Sequence, residues 1–293
     1  MGRLIRCITT DGCVTAMAVD TTDIVNEAAR LHETSAVISA ALGRLLTAAS
    51  MMGSSLKTDV GSITLRLSAD GPAGSVVAVA DSDGNVRGYA ENPVVEIPLN
   101  PKGKLDVGGA VGHNGSLYVL KDLGMKEPYN GVIPLVSGEI AEDITAYFAE
   151  SEQIPTVCAL GVLVNPDLTI KAAGGYLIQL LPTADNEIIT KVEKSIETIQ
   201  PITTLLSNGM SLEDIVKNAL NQFEVEKLDE GVVEYKCNCS RERTEKVLST
   251  IGADDLNKLA EEQEVTSVNC HFCNRVYDFT SEELKTLSKK ILK

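Results

Sequence analysis

Four cysteines near one end of the chain carry the strongest chemical signal. They fall as Cys237-x-Cys239, thirty intervening residues, then Cys270-x-x-Cys273. Thiolates are soft, compact donors. Two close pairs can surround one ion as a tetrahedral four-thiolate zinc site does, with Zn–S about 2.3 Å. Each pair reads as lying at a strand end or turn, where two sulfurs can point at the same ion. One zinc ion held by Cys237, Cys239, Cys270 and Cys273 is the expectation. Lys236, Arg241 and Arg243 surround the first pair, and positive charge favours the oxidisable thiolate. Two residues apart, Cys237 and Cys239 sit near the upper limit for a relaxed disulfide, so a bridge there would be strained and labile. Four thiols allow three pairings, and spacing alone leaves them open. The alternative is a zinc-stabilised thiol–disulfide oxidoreductase using Cys270 and Cys273. Such a pair should open a helix after a buried strand, whereas a β-type segment follows Cys273.

Other candidates are weaker. Cys7, Cys13 and Cys158 lie outside the motif and read as small buried apolar residues. His271 sits inside the CxxC loop, but four thiolates already fill a tetrahedral site. His32 and His113 have no nearby nucleophile in sequence. The glycines at 71–74 and 108–115 read as β-turns, since no GxxxxGK[ST] phosphate loop occurs. There is no GxSxG and no defensible Ser/His/Asp set, so the chain is expected not to be an enzyme.

Composition narrows the partners. The chain has 293 residues, 26 Lys+Arg against 41 Asp+Glu, and a formal charge of −15. That surplus repels phosphate backbones and anionic membranes, so neither nucleic acid nor membrane is an expected partner, and a zinc-stabilised nucleic-acid module is disfavoured. With no Trp and only four Phe, there is little material for stacking bases. The 44% apolar content is that of a globular chain. The N-terminal residues show no apolar signal region. The apolar stretch 36–56 is interrupted by Arg44 and reads as a buried core helix, not a membrane span. A reducing, cytoplasmic location is expected, where clustered cysteines mean metal or redox sensing.

The elements that must position the cysteines follow from periodicity, and they predict an α+β fold. Residues 1–181 read as a mixed domain with antiparallel strands. Strands at 4–8 and 14–19 flank an Asp11-Gly12 turn. Helices open at capping residues over 22–32 and 35–52. Further strands fall at 62–67, 76–80, 86–89, 117–120, 159–164 and 176–181. Residues 182–230 read as a helical linker. Ile188, Val192, Ile196 and Ile199 share helical spacing that stops at Pro201, and Ser211 with Asp214 opens a second pattern running to Phe223. This segment is the most acidic per residue, net −6. Its helices need an apolar neighbour, because short isolated helices are marginal in water. Residues 231–293 read as a small zinc-binding domain. It holds a strand at 232–236, two short helices broken at Gly252, strands at 265–269 and 275–279, and a final helix opened by Thr280 and Glu283. A unit of this size has little core of its own.

Across its whole length the chain resembles the 33 kDa chaperonin family of redox-regulated heat-shock holdases. The resemblance rests on Cys237-Asn238-Cys239-Ser240-Arg241-Glu242-Arg243 and on Cys270-His271-Phe272-Cys273 followed by Tyr277-Asp278-Phe279. It rests also on Leu42-Gly43-Arg44, Asp70-Gly71-Pro72-Ala73-Gly74, Val86-Arg87-Gly88-Tyr89, Ser151-Glu152-Gln153 and Gly174-Gly175-Tyr176-Leu177-Ile178-Gln179. It implies a reduced, zinc-bound monomer with little activity. Oxidation would form Cys237–Cys239 and Cys270–Cys273, release zinc, unfold the linker and yield a homodimer. That form would hold unfolding client proteins without ATP.

Overall fold

The most apolar stretch of the chain becomes the centre of its larger unit. The structure, a computed structural model, describes residues 1–58 and 60–291. The described chain separates into two units, Met1–Lys236 and the segment from Cys237 onward. The first contains β1 (Gly2–Thr9), β2 (Val14–Asp20), α1 (Thr22–His32), α2 (Ala36–Ser54), β3 (Ser62–Ala69), β4 (Val76–Asp81) and β5 (Val86–Ala90). It continues with α3 (Val107–Val111), β6 (Gly115–Asp122), β7 (Tyr129–Pro134), α4 (Ala141–Tyr147), β8 (Thr156–Val164) and β9 (Ile170–Leu180). It ends with α5 (Asn186–Ile196), α6 (Ile202–Ser207), α7 (Leu212–Ala219) and β10 (Val225–Val233). The second unit holds α8 (Arg241–Ser249), α9 (Ala253–Glu262), β11 (Val265–Asn269), β12 (Val276–Thr280) and α10 (Ser281–Ile291). The fold is α+β, with antiparallel sheets throughout.

Two five-stranded sheets, ordered β10-β1-β2-β9-β8 and β5-β4-β3-β6-β7, pack on α2 from either side. Every α2 residue from Val37 to Ser54 is buried except Arg44. By length and composition this helix could cross a bilayer, but 89% of its apolar window is covered by protein. Gly43 lets neighbouring elements close in, since a Cβ there would sit 2.7 Å from Val25 and 2.8 Å from Val162. Arg44 reaches out to Glu139, at 2.5 Å to its carboxylate and 3.0 Å to its carbonyl oxygen.

Several expected details change on folding. Ser35 stands at the N-cap of α2 but does not cap it; its hydroxyl exchanges hydrogen bonds with the backbone of Val95. Thr21 makes no side-chain cap to α1 either. The glycines at 108–109, expected in β-turns, form α3 instead. Asp106 caps it by accepting from the Gly109 amide at 3.0 Å, and Val107, Ala110 and Val111 are fully buried. Gly71 makes the seat for it, because a Cβ there would meet α3 backbone at 2.3 Å. Tertiary burial thus overrides the poor helix propensity of glycine. β7 and α4 carry no strong period and escape the sequence pattern.

The acidic middle segment finds its apolar neighbour within the first unit. Val192, Ile202, Leu205, Leu212, Ile215 and Val216 pack against Ile5, Val14, Ala16, Ala18, Tyr176 and Ile178. These belong to the face of β1, β2 and β9 turned away from α2. The second helical pattern ends at Ala219 instead of Phe223, and a strand starts at Val225 where helix was expected. β10 pairs with β1; Arg3, Arg6 and Lys227 pair with its Asp229 and Glu230, and Arg3 and Lys227 also with Glu213 of α7. The strand expected over 232–236 is therefore the tail of a longer one, followed by a single parallel bridge from Tyr235 to Val86.

Candidate metal centre

The second unit is built so that two turns bring their sulfurs together. β11 and β12 pair antiparallel from Val265↔Thr280 to Asn269↔Val276. The turn between them holds Cys270 and Cys273. The Cys270 carbonyl accepts from the amides of Cys273 at 3.3 Å and Asn274 at 2.8 Å, and the Cys270 amide donates to Arg275 at 3.0 Å. Asn274 takes the left-handed φ of 55° needed to close this turn, a conformation asparagine tolerates well. No helix opens at Cys273, unlike a thioredoxin-type pair. The other turn is Cys237-Asn238-Cys239, followed by Ser240, whose hydroxyl caps α8 by accepting from the Arg243 amide at 3.2 Å.

The sulfurs of Cys237 and Cys270 lie 3.6 Å apart, those of Cys239 and Cys273 3.4 Å, and all four fall within 4.8 Å of one another. Four thiolates at about 2.3 Å around a tetrahedral ion would be separated by about 3.8 Å. The donor set therefore fits one such ion with sub-ångström adjustment. Every cysteine predicted for the site is in the cluster, and His271 is not. Cys7 is buried, Cys158 packs partly buried against the core, and Cys13 is half-buried at the first hairpin, its thiol near the carbonyls of Asp11 and Thr183. The expectation of full burial thus holds for Cys7, while Cys13 and Cys158 are both partly buried against the core. Burial pushes the Cys158 thiol up to about 12, far from the reactive range.

Two of the cations expected around the first pair, Arg241 and Arg243, serve other purposes. Arg241 donates to the Asp278 carbonyl at 2.8 Å, pairs with Glu283 at 2.6 Å and stacks 4.4 Å over the Phe279 ring. It joins the start of α8 to β12 and α10. Arg243 donates to the Asn238 carbonyl at 3.0 Å, bracing the first turn. The groups that act on sulfur are Tyr277, whose hydroxyl donates to Cys239 at 3.2 Å, and Arg275, held by Tyr277 and beside Cys239 and Cys273. Burial opposes the Cys239 thiolate, but the Tyr277 hydroxyl and the neighbouring thiols outweigh it and bring this thiol down to about 7. Burial pushes Cys237 up. Of Cys237, Cys239 and Cys273, Cys239 gives up its proton most readily. Period-two alternation was the available signal, since Arg275, Tyr277 and Phe279 share one strand face.

Beneath the cluster lies a minimal core of Leu248, Leu256, Ala260, Phe279, Leu284 and Leu287. Thr280 and Glu283 form the expected capping box for α10, with amide-to-side-chain contacts of 2.8 and 3.3 Å.

Comparison with known proteins places this architecture. A family model described as Hsp33 protein matches residues 2–280. The 33 kDa chaperonin of Lachnoclostridium phytofermentans is 47% identical over 284 residues, covering 97% of each chain. That of Clostridium beijerinckii is 45% identical over 285 residues, with the same coverage. The crystal structure of the 33 kDa chaperonin (heat shock protein 33 homolog) of Thermotoga maritima superimposes with a TM-score of 0.90 at 36% identity, covering 99% of this chain and 98% of that one. With its α+β fold, its C-terminal cysteine cluster and this similarity over nearly its whole length, the chain belongs to the Hsp33 family.

Proposed function

We propose that this protein is a redox-regulated, ATP-independent chaperone that holds unfolding proteins under oxidative stress in the cytoplasm, and that it is not an enzyme. One observation carries the regulatory part: four sulfurs clustered within 4.8 Å over a core of only a few apolar side chains. Cys237, Cys239, Cys270 and Cys273 would hold one zinc ion in the reduced state. Bound zinc supplies roughly 10–16 kcal/mol of apparent folding free energy to such a small unit.

Oxidation by peroxide removes two electrons from each close pair. A thiolate attacks the peroxide oxygen and becomes a sulfenic acid. Its partner thiolate then displaces water, leaving a disulfide. The bridges are Cys237–Cys239 and Cys270–Cys273, the latter closing first because its spacing is relaxed. Each bridge takes away two metal ligands, so the ion leaves and the small unit loses its fold. In this scheme residues 1–181 form the chaperone core, 182–230 the metastable linker and 231–293 the switch. The strand β10, paired to β1 and ending shortly before Cys237, is the path from switch to linker. Its release would bare the apolar faces of α5–α7 and of the sheet beneath them, the surface that clients and a second copy of the chain would share. The reduced protein would be a monomer and the oxidised one a homodimer.

The test is to add peroxide to reduced protein and follow zinc release, mass by sedimentation, and suppression of client aggregation together. The expected result is that all three change together. Zinc release without holding activity would overturn the proposal.

A further inference from the structure

Two backbone irregularities open onto one cavity in the first unit. The pairing of β1 with β10 slips between Arg6 and Cys7, which face Asp229 and Lys227, so Leu228 is the extra residue of a β-bulge. Bulges of this kind re-aim a side chain. After α4 the chain makes a π-type turn over Phe148–Glu152, a geometry frequent at functional sites. Leu228 and Phe148 both line a cavity of about 500 Å³, a size typical of small-molecule sites.

Its walls are largely apolar, including Met17, Met52, Leu56 and Leu177, with Thr15, Ser54, Ser55 and Gln179 among them. Its charged lining is all of one sign: Arg6, Lys57 and Lys121, with no Asp or Glu among the described residues. This is unexpected in a chain with 41 acidic and 26 basic side chains. Arg6 pairs with Asp229 at 2.9 Å, and its guanidinium also donates to the Ser54 carbonyl. Lys121 pairs with Glu152 at 2.6 Å. In both pairs the cation lines the cavity and the carboxylate does not. Apolar walls beneath a cationic rim suit a molecule with an apolar tail and an anionic head.

We infer that this cavity binds a fatty acid, its acyl chain against Met17, Met52, Leu177 and Phe148 and its carboxylate at the Arg6, Lys57 and Lys121 rim. The test is calorimetric titration of the reduced full-length protein with laurate and with dodecylammonium, and it is independent of the redox scheme. Laurate is expected to saturate at one per chain and dodecylammonium to bind at least about tenfold more weakly. Lys57→Glu, at an exposed position, should weaken laurate about tenfold, while Lys57→Arg should preserve it. In Leu228→Trp, the sole tryptophan of the chain should shift its emission to the blue on adding laurate. Absence of saturable laurate binding would overturn the inference. So would equal binding of the two amphiphiles, which would mean that the cavity accepts any apolar segment, such as a client's. Unchanged laurate affinity in Lys57→Glu would also overturn it.

Discussion

Tyr277 separates support from ligation. Its hydroxyl reaches Cys239 at 3.2 Å, while its ring packs beside the small core. Phenylalanine keeps the ring and removes only the donor. Tyr277→Phe should therefore leave the fold intact and weaken zinc binding by about 10–100-fold, read by competition with a chromogenic chelator. Cys273→Ser should abolish stoichiometric zinc altogether. A second residue-scale device lies in the first unit, where Glu152 accepts from Lys121 at 2.6 Å and Tyr147 at 2.5 Å. Burial opposes the Glu152 carboxylate, but the hydrogen bonds from Lys121 and Tyr147 outweigh it and hold its pKa below the usual range. A depressed folded-state value contributes stability that is full above the unfolded pKa and is lost as pH falls through the folded one. Glu152→Gln should thus destabilise by about 1–2 kcal/mol at pH 7. The difference should begin to shrink as pH falls below about 4 and vanish only below the depressed folded value, as seen in urea titrations across that range.

The helices α5–α7 show how an element can be both ordered and weakly held. Their apolar residues are buried on the sheet, yet each helix is short, with six to eleven residues. Such helices depend on packing more than on propensity. Ile215 is fully buried at their centre, so Ile215→Ala should cost about 2–5 kcal/mol, concentrated in the linker. The expected outcome is faster hydrogen exchange across 186–219 and client holding by the reduced protein, measured by light scattering. Faster exchange with no gain in holding would mean that the linker does not gate activity. The capping serine of α7 was legible in sequence and is realised: Ser211 accepts from the Asp214 amide at 3.1 Å. Most of β10 was not legible; only its end, at Val232 and Val233, was read as strand. Its run Glu226-Lys227-Leu228-Asp229-Glu230 has no apolar alternation, because it is an edge strand whose backbone, not its side chains, makes the contact with β1.

The two units differ in what holds them. The first buries a full-length apolar helix between two sheets, and the second has only a few buried apolar side chains besides its sulfurs. If the four thiolates hold zinc as proposed, chelating it in the reduced protein should remove hydrogen-exchange protection from 240–290 while α2 stays protected. Adding zinc back in reductant should restore it. Loss of protection in α2 at the same chelator concentration would show that the units do not melt separately.

The cysteine cluster was readable from sequence because its chemistry is local. CxC and CxxC spacing forces sulfurs into pairs, and two such pairs are the donor set of a tetrahedral metal site. The core helix, the first hairpin, the Gly252 break and the capping boxes were readable for the same reason, since each depends on neighbours a few residues apart. What the tertiary structure decided are matters of distant partners. It seats glycine-rich α3 under α2 and turns Ser35 from its helix to Val95. It assigns Arg241 to Glu283 and leaves Tyr277 as the donor to Cys239. It also lays the acidic helices on the first unit's sheet and opens a bulge at Leu228 onto a cationic cavity. No local pattern encodes these, because their energy comes from surfaces that meet only after the chain has folded.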